Sequence, residues 1–344
     1  MKVAIITDQH FGARKSSRVF HDFFNKFYKN VFFPTLKKRG IDTVLDLGDT
    51  YDNRRTLDLW AANWSKTEYW DKLRDMGIKV HSLVGNHTAY FKDTNDVNTL
   101  DGIVGEYTNI SIYNKATEVE IGGLPILFIP WINQQNKEET YALIEKSKCP
   151  VAMGHLELNG FEAHPGHVME SGMDKTFFNK FKRVFSGHYH QKSTKGNISY
   201  LGNPYQLYWN DYGCKRGFHV FDTTTLKTTF YRNPFDIFYK LYYNNGVSIP
   251  ESEDLKGSFV KLIVEEKGDY QKFDYAVKQL QNIGLGDLKI VEDLSAELEC
   301  SDSTLETEDT MTLLESYIDE IELKVDKSNV KSVMRSLYVE ASEL

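Results

Sequence analysis

Apolar and polar positions alternate in two rhythms along the first half of the chain. Short β-branched runs, "KVAIIT" (2–7), "IDTVLDLG" (41–48) and "KVHSLVG" (79–85), are separated by longer stretches of helical periodicity, about Val19 to Lys38 and Leu57 to Met76. Apolar runs bounded by turn residues and separated by helices predict βαβ units and a largely parallel sheet. From about 109 the runs come closer together: "NISIYN", "TEVEIGG", "LPILFIP", "CPVAMGH" (149–155), "KRVFSGH" (182–188), "ISYLGN" (198–203) and "GFHVFDT" (217–223). Two mixed sheets face to face, with helices outside, accommodate that pattern. After Asn233-Pro234 a strand "SFVKLIVEE" (258–266), a helix over 269–284 and a strand "LKIVED" (288–293) form a small α/β unit. An acidic, Ser/Thr-rich linker is expected over 294–308. Beyond it Leu314, Tyr317, Ile318 and Ile321 share one helix face, and Val330, Val333, Met334, Leu337 and Tyr338 share another. These two amphipathic helices need either the parent domain or a partner to cover them.

Composition narrows the class. With 344 residues, 41% hydrophobic and 13% aromatic, the chain can build one large domain with appendages. A formal charge of −8 argues against binding nucleic acid through bulk electrostatics, so any such role must rest on local patches, cations or a partner. Cys149, Cys214 and Cys300 show no CxxC spacing, which points to a reducing compartment and away from a cysteine zinc site. The first apolar run is too short for a signal peptide, and "LPILFIPWI" falls well short of the ~20 residues that span a bilayer. A soluble cytosolic protein is expected.

Each predicted strand ends on polar residues: Asp8 and His10, Asp49 and Asp52, Asn86 and His87, His155, and His188 with His190. In an open α/β sheet the carboxyl ends of the strands lie along one edge, where ligands bind. Gly48, Gly85, Gly154 and Gly187 sit just ahead of four of these clusters and are expected to permit the sharp departure from each strand. Any one histidine or "GD" turn means little; five such clusters at strand ends predict one shared site. Aspartate, asparagine and histidine without sulfur suit Mn, Fe or Zn better than Ca or Mg, and the number of donors suits two ions.

In order, these clusters match D-x-H, G-D-x-x-D/H, G-N-H, G-H and G-H-x-H, and the chain resembles the calcineurin-like metallophosphoesterases. Within that family, "GDTYDNRR", "IPW" (129–131), "GHLELNGF" (154–161), "GNPYQL" and "RGFHVFD" are similar to the SbcD-type DNA repair nucleases, phage-type members above all. The likeness covers about residues 1–232. It implies a β-sandwich flanked by helices (α/β/β/α; 1–232), a small DNA-facing α/β cap (233–293), the linker (294–308) and a helical segment that binds an ATPase (309–344). Asp8, His10 and His190 would then hold one ion, and Asn86, His155 and His188 the other, with Asp49 bridging. His87 would be the catalytic histidine and Asp52 would support it. Thr88 stands where many relatives carry an acidic residue.

The implied activity is Mn-dependent (Mg possible) two-metal hydrolysis of DNA, as an exonuclease on duplex ends and an endonuclease on single strands. The protein would be a homodimeric subunit of a two-plus-two complex with an SbcC-type ABC ATPase. "DNRR" and "GNHT" differ from the "DRG" and "GNHE" of protein phosphatases. Arg14, Lys15, Arg18, Arg54, Arg55, Lys215 and Arg216 flank the motifs and are candidate DNA contacts. Alternatives are a stand-alone phosphodiesterase for small nucleotides and a non-catalytic subunit that bridges DNA ends.

Overall fold

Two six-stranded sheets carry the site. In this computed structural model residues 1–292, except Pro165 and Glu251, are described, together with Lys327; the expected linker and C-terminal helices, including Leu314, Tyr317, Ile318, Ile321, Val330, Val333, Met334, Leu337 and Tyr338, lie outside the described residues. One compact unit spans Met1–Ile290.

In chain order the strands are β1 (Lys2–Ile6), β2 (Thr43–Asp46), β3 (Lys79–Leu83), β4 (Ile110–Tyr113), β5 (Thr117–Ile121), β6 (Leu124–Ile129) and β7 (Val151–His155). A short hairpin follows, β8 (Glu162–His164) and β9 (His167–Val168), and then β10 (Arg183–Gly187), β11 (Ser193–Lys195), β12 (Ile198–Tyr200), β13 (Gly217–Asp222) and β14 (Thr228–Arg232). The first sheet has the order β14-β13-β1-β2-β3-β4 and the second β11-β12-β10-β7-β6-β5. β1 to β4 are mutually parallel, as are β6, β7, β10 and β12, whereas the edge pairings with β5, β11, β13 and β14 are antiparallel.

Side-chain alternation along the strands builds three apolar layers. Val3, Ile5, Leu45, Leu83, Ile126, Met153 and Phe221 fill the space between the sheets. Ala4, Val44 and Val80 face the helices over the first sheet, and Leu127, Ala152 and Val184 face those over the second. That is the α/β/β/α arrangement, with both sheets covered on both faces, and it explains why the central strands read as continuous apolar runs.

The two long helical segments over the first sheet are less regular than their periodicity predicts. Arg18–Phe27 passes through a π-helical turn, Tyr28–Phe32, into Phe33–Arg39; Leu59–Ser65 does the same through Lys66–Trp70 into Asp71–Asp75. Such a turn adds a residue and re-aims the following side chains. Here Tyr28 and Trp70 lie in those turns; both are fully buried, and both donate beneath the strand ends, Tyr28 to Gln9 Oε1 at 2.6 Å and Trp70 to Tyr51 Oη at 3.0 Å. The edge strands β11 and β14, the β8–β9 hairpin and the helices Thr99–Val104 and Lys137–Lys146 are not among the elements expected from sequence.

Residues 238–291 form a third sheet, β15 (Phe238–Asn244), β16 (Phe259–Glu266) and β17 (Asp287–Val291), with the helix Tyr270–Asn282. β15 is an addition to the expected elements and pairs in parallel with β16. This small unit meets the first through aromatic contacts: Phe20 lies 6.1 Å from Phe238 and 5.3 Å from Phe259, centroid to centroid. Gln206 Oε1 also accepts the Ile237 and Phe238 amides at 2.9 and 3.1 Å. Among the described residues no helix is long and apolar enough to cross a membrane.

One buried histidine pins the loop that follows β1. His21 Nδ1 donates to the Ser17 carbonyl at 2.8 Å while Nε2 accepts the Gly12 amide at 3.2 Å, which holds the ring neutral; burial lowers its pKa. In the unfolded chain the same residue takes up a proton below about pH 6.5. The unfolded state therefore gains protons that the native state refuses, and native stability falls as pH drops below that value. His21→Gln is expected to flatten this acid limb, by up to about 1.4 kcal/mol per pH unit. Denaturant melts of both proteins between pH 7.5 and 5 measure it.

Candidate metal centre

The strand ends converge because β1, β2 and β3 run parallel in one sheet and β7 and β10 run parallel in the other. Asp8 and His10 follow β1, Asp49 follows β2, Asn86 and His87 follow β3, His155 ends β7, and His188 and His190 follow β10. Asp8, His10 and His190 place ligand atoms within 4.8 Å of one another, and so do Asp49, His155 and His188. His10 Nε2 and His190 Nε2 face each other at 3.0 Å. Asn86 Oδ1 lies 2.9 Å from both His155 Nε2 and His188 Nδ1. Asp49 Oδ2 is 3.0 Å from His155 Nε2.

The far sides of several of these groups are tied down. His155 Nδ1 donates to the Leu47 carbonyl at 2.8 Å, which turns Nε2 toward Asp49 and Asn86. His10 Nδ1 pairs with Asp52 Oδ1 at 3.0 Å. Both oxygens of Asp8 accept the His188 amide, at 3.0 and 3.1 Å, and Asp49 Oδ1 accepts the His87 amide at 2.8 Å. A ligand imidazole whose other nitrogen is held by a carbonyl or carboxylate is the usual arrangement around a bound metal. The convergence of oxygen and nitrogen donors, with His10 and His155 hydrogen-bonded from behind, fits a pair of divalent cations.

The buried charges act on one another. Burial alone would raise the Asp49 carboxyl, but the ion pair and hydrogen bond with His155 hold it far below the usual carboxylate range. Burial would lower His155, yet the Asp49 charge lifts it to about 9. His188 goes the other way, pushed down to about 3 by burial and then by the His155 charge. Burial raises Asp8, against the pull of His155.

The backbone is strained where these residues leave their strands. Asp8, His10, Asp49 and His188 have φ of 52°, 48°, 51° and 86°, a region that costs an L-residue about 1–3 kcal/mol and is held only by surrounding structure. Two of the neighbouring glycines, Gly85 and Gly187, do a different job from the one expected. Only Gly48 has positive φ (104°). At Gly85 a Cβ would collide with Asp49, and at Gly187 with Thr7, so these positions are glycine because ligand loops pass against them.

His87 and Asp52 stand together beside the first cluster. His87 Nδ1 lies 2.6 Å from the Asp52 carbonyl, and its ring meets that of His10 edge-on at 4.9 Å. The partner that a neighbouring acidic residue would supply to His87 is thus a backbone oxygen. Thr88 instead closes the turn, its Oγ1 accepting the Gly85 amide at 2.8 Å. The Asp52 carboxylate rests on His10, so its contacts orient the two histidines. Tyr189 points into the wall, stacking on Tyr200 at 4.6 Å and donating to the Leu158 carbonyl at 3.1 Å.

The candidate DNA contacts divide. Lys15, Arg18, Arg55 and Lys215 are exposed, Arg54 is half-buried, and Arg14 is exposed with its guanidinium over the Tyr208 ring at 4.5 Å and its Nε on the Leu207 carbonyl at 3.0 Å. Arg216 does not belong with them. It is buried, paired with Asp211 through Nη2 at 2.5 Å, and its Nη1 reaches the His190 carbonyl and Asn203 Oδ1. A guanidinium buried with both terminal nitrogens on those partners holds the His190 loop and is not offered to a phosphate. Sequence reasoning missed the roles of Asp46, Gln9 and Asn203 because their partners come from distant parts of the chain.

A family model for calcineurin-like phosphoesterases matches residues 1–192. "Exonuclease subunit 1" of Enterobacteria phage T4 is 31% identical over 311 residues, 89% of this chain and 90% of that protein. Among solved structures, an archaeal phosphodiesterase overlaps with a TM-score of 0.34 and 14% identity, covering 68% of this chain and 100% of that chain. A dimetal phosphatase from Danio rerio overlaps with a TM-score of 0.37 and 10% identity, covering 64% and 91%. Overlaps this low carry no argument about chemistry. The domain match and the long alignment to the phage protein place this chain in the calcineurin-like phosphoesterase family.

Proposed function

We propose that the protein is a Mn-dependent DNA nuclease, exonucleolytic on duplex ends and endonucleolytic on single strands, and one subunit of a recombination and repair complex. The observation that carries this reading is the convergence of Asp8, His10, Asp49, Asn86, His155, His188 and His190 at one edge, with His87 beside them. The 31% identity to a phage protein named as an exonuclease subunit supports DNA as the substrate.

Asp8, His10 and His190 would hold one ion, Asn86, His155 and His188 the other, and Asp49 would lie between them. When bound, a pair of divalent ions supplies charge stabilisation of the phosphoryl oxygens and an activated water. The chain's own residues do the rest. His87, fixed by donating Nδ1–H to the Asp52 carbonyl, leaves Nε2 as the nitrogen from which the doubly protonated ring can donate to the leaving oxygen. Asp52 keeps His10 and His87 in register through its carboxylate and carbonyl. Lys15, Arg18, Arg54, Arg55 and Lys215 would give an acidic protein a local phosphate track. Residues 233–293 would face the DNA as a cap. The segment 309–344, beyond the 294–308 linker, would bind an SbcC-type ATPase, with the nuclease as a homodimer in a two-plus-two complex.

Nucleotide release from linear duplex and single-stranded DNA in Mn²⁺ tests the activity. Wild type is expected to release nucleotides and Asp49→Ala to be inactive. His87→Ala should lose about 10²–10⁴-fold in turnover while still taking up metal in calorimetry. Hydrolysis of a small phosphodiester with no action on DNA would favour the stand-alone phosphodiesterase. A separate pull-down addresses the partner: deletion of 305–344 should abolish co-purification with the ATPase and leave DNA cleavage by the isolated subunit intact. A truncated protein that still co-purifies would overturn that assignment.

A further inference from the structure

Asp46, the last residue of β2, is fully buried behind the candidate metal centre and touches none of its donor atoms through the contacts it makes. Its Oδ2 accepts from Gln9 Nε2 at 3.1 Å, Thr50 Oγ1 at 2.6 Å and Ser82 Oγ at 3.3 Å, and its Oδ1 from the Gly48 amide at 3.3 Å. Gln9 lies between Asp8 and His10. Gly48 and Thr50 flank Asp49, and Ser82 sits on β3 ahead of Asn86 and His87. One carboxylate therefore ties together three strand ends that carry the donor residues.

Gln9 is itself braced. Its Oε1 accepts from Tyr28 Oη at 2.6 Å and its carbonyl from Tyr205 Oη at 2.6 Å, and all three residues are buried. Those bonds orient the amide so that Nε2 points to Asp46. The strained backbone at Asp8, His10 and Asp49 needs such over-determination.

Chemistry singles out a carboxylate here. Four donors converge on it; burial lifts this carboxyl to about 7 while the Thr50, Gly48 and Ser82 bonds pull the other way, and its ionised form offers about four lone-pair sites and no competing hydrogen. Asparagine has nearly the same shape but would turn its NH₂ against at least one of the Gln9, Thr50, Ser82 or Gly48 donors. A buried donor left unpaired pulls on the loop that carries it.

We infer that Asp46, acting through Gln9, Gly48 and Thr50, is a positioning residue that sets the spacing between the Asp8–His10 pair and Asp49, and thereby determines that two ions bind as a pair. The inference rests on the dinuclear reading of the site given above.

The test uses the full chain and Mn²⁺. Calorimetric titration counts ions and their affinities, and electron paramagnetic resonance distinguishes an exchange-coupled pair from isolated ions. Wild type is expected to bind two equivalents with a coupled signal. Asp46→Asn and Gln9→Met are each expected to remain folded by near-ultraviolet circular dichroism, to bind at least one ion about 10- to 100-fold more weakly, and to show the isolated-ion signal. On bis(p-nitrophenyl) phosphate kcat should fall while KM stays within about twofold, because the substrate's own contacts are untouched. Phe178→Leu, in the layer outside the second sheet, controls for lost stability alone and should keep the coupled signal. If Asp46→Asn does not fold, Gln9→Met carries the same readouts. Two wild-type affinities and a coupled signal in the variants overturn the inference and leave the nuclease reading standing. A wild type that takes up no pair of ions overturns both.

Discussion

Asp49 is the charge around which the structure is arranged. A fully buried carboxylate is tolerated only when its surroundings are paired and hydrogen-bonded. Asp49 meets His155 on one oxygen and the His87 amide on the other, and His155 in turn hangs on the Leu47 carbonyl next to Asp49's own strand. These contacts join β2 and β3 of one sheet to β7 of the other. They make the seam between the sheets a polar junction at one edge and an apolar layer elsewhere.

That junction sets demands on the backbone nearby. Donor side chains are turned inward by left-handed backbone at Asp8, His10, Asp49 and His188, and the loops pass so closely that Gly85 and Gly187 have no room for a Cβ. The strain is contained by groups outside the donor set: the Asp46 network under the first sheet, and Arg216 with Asp211 behind His190. Aromatic packing anchors the first of these. Tyr28 and Tyr205 reach Gln9 from a layer in which Tyr205 stacks on Phe24 at 4.0 Å. The helical turns over the first sheet are thus part of how the site is held.

The same layer joins the site to the small α/β unit. Gln206 follows Tyr205 directly and accepts the backbone amides that open β15, while Asp211 binds Arg216, which holds the carbonyl of His190. A short run of chain, 203–216, therefore touches a donor loop, the polar network and the smaller unit at once. This accounts for Asn203, Tyr205 and Gln206 of "GNPYQL" and for Arg216 as structural residues, each with a named partner.

Much of this was legible in the sequence because it is local. An apolar run followed by Asp, Asn or His marks the end of a buried strand, and the order of those ends already indicates one edge and one cluster. The family follows from the same residues. What the sequence could not decide is set by contacts between residues far apart in the chain, such as His10 with His190 across 180 positions. Which nitrogen of each histidine faces the centre, why Gly85 must be glycine, that His87 rests on a carbonyl, that Arg216 faces inward, and that Asp46 carries four hydrogen bonds all depend on neighbours supplied by other strands. Periodicity reports whether a position is buried; only the packed sheets determine what a buried polar group meets, and that meeting fixes its charge, its orientation and its role.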